Sequence, residues 1–97
     1  MNIGATIKKL RKRKNIQQSE LAGKSGISQT YLSQIETGER IPTIETLEKI
    51  SKELKIPFPI LSFLSLDANS IQTNKRDAFL RIEPAIKAMV EEFFLQE

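Results

Sequence analysis

The 97-residue chain reads as an all-α protein. Three observations predict this class. Apolar residues recur every three or four positions, as in Ile3, Ile7 and Leu10 or Ile44, Leu47, Ile50 and Leu54, which gathers them on one face of a helix. No stretch alternates apolar and polar residues with the period of two that a half-buried strand needs. Asn2, Ser28 and Thr43, whose short polar side chains cap helix starts, stand immediately ahead of helical runs.

Taken in order, the first helix begins after Asn2 and ends near Asn15, with Lys8, Lys9, Arg11, Lys12, Arg13 and Lys14 around its apolar stripe. The second starts near Gln18. Gln17 in its capping position is a weak cap, partly offset by Glu20 facing the positive end of the helix. Ser28 caps the third, which runs to Thr37 and stops at Gly38, a residue that tolerates the left-handed turn. Thr43 caps the fourth, and Pro57 is expected to halt it. In the fifth, Pro59 fits the first turn, and Ile60, Leu61, Phe63, Leu64 and Leu66 give more apolar surface than a closing helix needs. Asp67 to Lys75 is polar and reads as a linker. Asp77 to Ile82 and Pro84 to Leu95 are amphipathic again, with Pro84 either starting a helix or kinking a longer one. The expected organisation is a compact helical domain over residues 1–66 and a helical extension over 67–97.

Composition removes several chemistries. With no Cys and no His, zinc fingers, cysteine nucleophiles and histidine triads are excluded, and no metal or cofactor is expected. Glu45, Glu48, Glu53, Glu91 and Glu92 lie on polar faces, the first three beside Lys49, Lys52 and Lys55, where such residues keep a helix soluble. No catalytic constellation emerges, and the chain is expected not to be an enzyme. The apolar stretch from Phe58 to Leu66 is interrupted by Pro59, Ser62 and Ser65 and is too short to span a bilayer. The basic N-terminal run leads into Asn15, Gln17 and Gln18 instead of an apolar segment, unlike a secretory signal. A cytoplasmic location with no membrane partner is therefore expected. The net charge of +3 is unevenly placed. Residues 1–56 hold eleven Lys and Arg against six Glu, whereas residues 57–97 hold four against six acidic residues. The basic half has the electrostatic footprint that attracts phosphates.

Within that half, Gln18 to Thr37 reads QSELAGKSGISQTYLSQIET. Ala22 is small where one helix would cross another closely. Gly26 permits the tight turn that follows. Leu21, Leu32 and Ile35 supply the stripe that seats the second helix on the first. Gln29, Thr30, Ser33, Gln34 and Thr37 are left outward, and side chains of this kind can read base edges in a DNA major groove.

This stretch and its surroundings, from about Ile3 to about Leu64, resemble the phage repressor and Cro family of bacterial regulators, also called the xenobiotic-response-element family. The resemblance implies a five-helix lambda-repressor-like domain that binds double-stranded DNA through a helix-turn-helix. The family's base-reading positions fall on Gln29, Thr30, Ser33 and Gln34. Its phosphate-contacting positions, together with the basic first helix, indicate Gln18, Arg11, Arg13, Lys14, Ser28, Tyr31, Thr37 and Arg40. Tyr31 is equally suited to packing on the second helix. Arg11 has a second reading by resemblance, as the partner of Glu36 in a structural ion pair. The resemblance ends near Leu66. Beyond it, the surplus apolar face of the fifth helix and the extension suggest a homodimer contact through Ile60, Phe63, Leu64, Phe79, Ile82, Ile86, Met89, Val90, Phe93 and Phe94. The same residues folding back onto the monomer is the competing reading. The expected function is a transcriptional regulator, a repressor binding an inverted repeat. The alternatives are a restriction-modification controller, or an antitoxin or adaptor whose C-terminal helices bind another protein.

Overall fold

A computed structural model describes residues 2–66, 69 and 71–96. Six α-helices and no strand are found among them: α1 (Ile3–Arg13), α2 (Gln18–Lys24), α3 (Gln29–Thr37), α4 (Ile44–Leu54), α5 (Phe58–Leu64) and α6 (Arg76–Val90). A 3-10 turn over Thr73–Lys75 leads into α6, and a π-helical turn over Glu91–Leu95 closes it. Of the expected linker, residues 67, 68 and 70 lie outside the described residues.

The helix starts follow the capping chemistry. Asn2 Oδ1 accepts a hydrogen bond from Ala5 N at 3.2 Å, Ser28 Oγ from Tyr31 N at 3.0 Å and Thr43 Oγ1 from Thr46 N at 3.1 Å. Gln17 makes no side-chain cap, as its type predicts. Three helix ends share one device. Asn15, Gly26 and Lys55 adopt positive φ, and the isoleucine after each returns its N–H to the carbonyl five residues back: Ile16 to Arg11, Ile27 to Ala22 and Ile56 to Ser51. Each left-handed residue also donates three residues back, to Lys12, Gly23 and Lys52 respectively, completing a Schellman motif. Each of these isoleucines is also drawn into the core: Ile56 is buried, and Ile16 and Ile27 pack against it. Pro57 therefore does not end α4. The helix stops at Leu54 because Lys55 turns left-handed, and Pro57 instead occupies the cap position of α5.

Ile7, Leu21, Leu32, Ile35, Ile50, Leu54, Ile56 and Leu61 are fully buried and form one core. Helix α1 packs on α3 and α5, α2 on α3 and α4, and α4 on α5. Ala22 lies in the core as expected, and a second close approach between helices falls at Gly4. A Cβ there would land on the carbonyl oxygen of Ile35, so α1 rests directly on the backbone of α3.

Helix α6 runs unbroken through Pro84, so the two expected C-terminal segments are one element. Phe79 lies with its ring centroid 5.9 Å from that of Phe63. The surplus apolar surface of α5 is thus covered from within the chain, and the π turn brings Phe94 and Leu95 against the core. Phe79 and Val90 are buried, and Ile60, Phe63, Leu64, Ile86 and Phe94 are half-buried. Folding back, the competing reading, thus uses the apolar area of Phe79 and Val90 and part of that of Ile60, Phe63, Leu64, Ile86 and Phe94. Ile82, Met89 and Phe93 remain exposed, joined by Leu80, an apolar residue of the same segment outside the expected dimer contact.

Candidate nucleic-acid interface

The second helix of the pair, α3, presents its N-terminal end to solvent. Ser28, Gln29, Thr30 and Thr37 are exposed, while Ser33 and Gln34 are half-buried. Leu32 and Ile35 are spent on the core, which leaves the polar ridge outside it.

A ladder of hydrogen bonds fixes where that ridge points. Arg11 Nε donates to Glu36 Oε2 at 2.8 Å and Arg11 Nη2 to Glu36 Oε1 at 3.0 Å. The third guanidinium nitrogen, Nη1, donates to the carbonyl of Ile16 at 2.9 Å. Glu36 Oε1 also accepts from Gln18 Nε2 at 3.0 Å, and Gln18 Oε1 accepts from Gln29 Nε2 at 3.3 Å. The buried fork of α1 therefore orients two amides, one at the first turn of α2 and one at the first turn of α3. Sequence reading found both ends of this ladder but not the Gln18 rung. No spacing rule links Gln18 to Glu36.

The cations fall differently from expectation. Arg11 is buried and paired on both sides of its fork, so its phosphate role is corrected to the structural alternative. Lys14 Nζ donates to the carbonyl of Leu54 at 2.5 Å, at the negative end of α4. Burial, and then the neighbouring Lys55, hold its amine below the ordinary lysine range. Arg13 is ion-paired with Glu91 of the closing π turn. A phosphate role for Lys14 or Arg13 requires giving up those contacts. Arg40, in the loop after α3, has its guanidinium 5.5 Å from the centre of the Tyr31 ring. Its backbone N–H donates to Gln34 O at 3.2 Å. Tyr31 is half-buried and packs against the core, and Arg40 is held beside its ring.

Among the described residues no group of His, Cys, Asp and Glu is arranged to hold a metal ion, and no helix is long and apolar enough to cross a membrane.

Two helices set at a tight Gly26 turn, with a polar ridge outward and a basic flank, define a helix-turn-helix protein. The helix-turn-helix family model matches residues 7–61, more than half the chain, and the chain belongs to that family, of the Cro and cI type. Among its relatives, the ImmF control region 10 kDa protein of Bacillus phage phi105 is 38% identical over 64 residues, covering 66% of this chain and 71% of that protein. The transcriptional regulator SinR of Bacillus subtilis is 46% identical over 55 residues, 56% of this chain and 50% of SinR. The immunity repressor of phage phi105 is 38% identical over 56 residues, 58% of this chain and 39% of that repressor. Among solved structures, the clp gene regulator ClgR from Corynebacterium glutamicum has the same fold, with a TM-score of 0.65 at 21% identity over 98% of this chain and 93% of that one. That likeness of fold takes in the C-terminal extension. The chain is a DNA-binding transcriptional regulator.

Proposed function

We propose that the protein is a homodimeric repressor that reads an inverted-repeat operator, with residues 1–66 binding DNA and 67–97 completing the dimer. The observation that carries this reading is the ladder ending in Gln18 and Gln29, which holds an exposed amide at the leading end of α3 in a fixed orientation. An amide so held pairs bidentately with adenine, and the neighbouring Thr30 methyl suits thymine. Ser33 and Gln34 extend the base-reading set along the same ridge. Gln18, Ser28, Tyr31, Thr37 and Arg40 then sit around it as phosphate contacts, which position the helix without reading sequence. Relatives named as control and immunity proteins of a phage support repression as the sign of regulation.

The test is selection of bound duplexes from a random pool by the purified chain, together with its mass in solution. A palindromic consensus and a doubled mass are expected; a non-palindromic consensus bound by a monomer rejects the dimeric operator. In titrations against the selected site, Gln29→Ala should cost about 1 to 3 kcal/mol and relax preference at one position. Arg40→Gln should weaken all sequences alike and reduce the salt slope by about 1.

A further inference from the structure

Between α1 and the C-terminal extension lies a cleft of about 380 Å³, within the range of small-ligand sites, which favour such junctions. Its depth is mainly apolar, and the buried Ser65 there has its hydroxyl turned back to the Leu61 carbonyl. Leu10 and Val90 are buried there, and Leu64, Leu66 and Leu95 are half-buried around them. Its rim is cationic, with Lys9, Arg13 and Lys87 set against the single carboxylate of Glu91. That carboxylate is committed to Arg13, and the exposed Lys87 stands 3.7 Å from Glu83. Lys9 has no carboxylate partner among the described residues. A cavity apolar at its base and positively charged at its mouth complements a molecule with a hydrocarbon tail and an anionic head.

We propose that this cleft binds a small amphipathic carboxylate, an alkyl or arylalkyl acid of medium length. Its tail lies on Leu10, Val90 and Leu95, and its head is held by Lys9 and Arg13 in place of Glu91. Charge-assisted hydrogen bonds to the head are stronger than those an alcohol of the same tail makes, and a cationic head is repelled. One wall belongs to α1 and the other to the extension, so the occupant ties the two together. None of the ridge residues Ser28, Gln29 or Thr30 lines the cleft. Failure here therefore leaves the DNA-reading proposal untouched.

The experiment is an amide nitrogen–proton NMR titration of the full chain with decanoate below its micelle concentration. Decanol and decyltrimethylammonium are run in parallel, as are phosphatidylglycerol vesicles. Saturable shifts centred on Thr6, Lys9, Arg13, Val90 and Glu91 are expected, with decanol and the cation about tenfold weaker or worse. Two variants, each first shown to be folded by circular dichroism, should weaken decanoate by about tenfold or more: Lys9→Gln combined with Arg13→Gln, which empties the rim, and Ala5→Phe, which fills the cleft from an exposed position. An equal response to decyltrimethylammonium overturns the proposal, as do shifts centred on Ile82, Met89 and Phe93. Undiminished binding in folded Ala5→Phe, or binding to vesicles but not to free decanoate, overturns it too.

Discussion

Arg11 illustrates how much one side chain can settle. Its fork is saturated by Glu36 and the Ile16 carbonyl, and the Glu36 side chain is only 2% exposed. Breaking such a pair from one side strands a buried charge, whereas the intact pair contributes little net stability. Arg11→Met should therefore cost about 3 to 5 kcal/mol in chemical denaturation, and Arg11→Met combined with Glu36→Leu clearly less than either single change would suggest. An additive double mutant would show that the two residues do not act as a unit. Gly4 is the second decisive residue. Because its missing Cβ is what lets α1 rest on the Ile35 carbonyl, Gly4→Ala should destabilise by about 2 kcal/mol or more, despite the better helix propensity of Ala. An unchanged or raised denaturation midpoint would mean that α1 and α3 can separate at little cost.

At the scale of elements, the repeated helix ending is the feature with the most explanatory reach. Asn15, Gly26 and Lys55 perform one task, yet only glycine performs it without a Cβ penalty. Lys55 is the worst suited of the three, and its charge also depresses the Lys14 amine. Lys55→Gly should raise stability by about 1 kcal/mol. It should also move the Lys14 titration, followed by NMR of the side chain, back up toward its ordinary value. The sign follows from the charge removed: a positive neighbour favours the neutral amine, so deleting it favours the charged form. A Lys14 titration unmoved in this variant would leave burial as the whole cause.

For the whole molecule, the question is what the extension leaves outside. Phe79, Val90 and Phe94 are used internally, while Ile82, Met89 and Phe93 recur at helical spacing on the exposed side of α6 and the turn after it. Two copies joined along this stripe would carry two copies of α3, as a two-fold operator requires, with half-sites about 34 Å apart. Ile82→Lys combined with Met89→Lys should leave the far-ultraviolet spectrum and melting behaviour near those of the parent, because neither residue is in the core. On the proposed dimer it should halve the sedimenting mass and weaken operator binding. A variant that remains dimeric would move the interface elsewhere, to Leu80 or to the exposed Ile41 and Ile44 near α3.

The helix count of the first five elements, three of the caps, the Gly26 turn and the polar face of α3 were legible from residue order, because each is a contest between a side chain and the backbone within four or five positions. Lys55 as a helix terminator was not, since nothing local favours a lysine in the left-handed region. Ile56 secures it by burying its side chain in a core that exists only once α4 and α5 have met. The same holds for Gln18, whose amide acquires a partner through Glu36 on another helix, and for Phe63 and Phe79, whose periodicity suggests a dimer face while the structure packs them against each other. The sequence by itself determined the helices, their order and the ridge that faces outward. Only the tertiary structure decided which cations are paired, which apolar residues are already covered and how the amides of Gln18 and Gln29 are held, because each of those depends on a neighbour brought close by packing and far away along the chain.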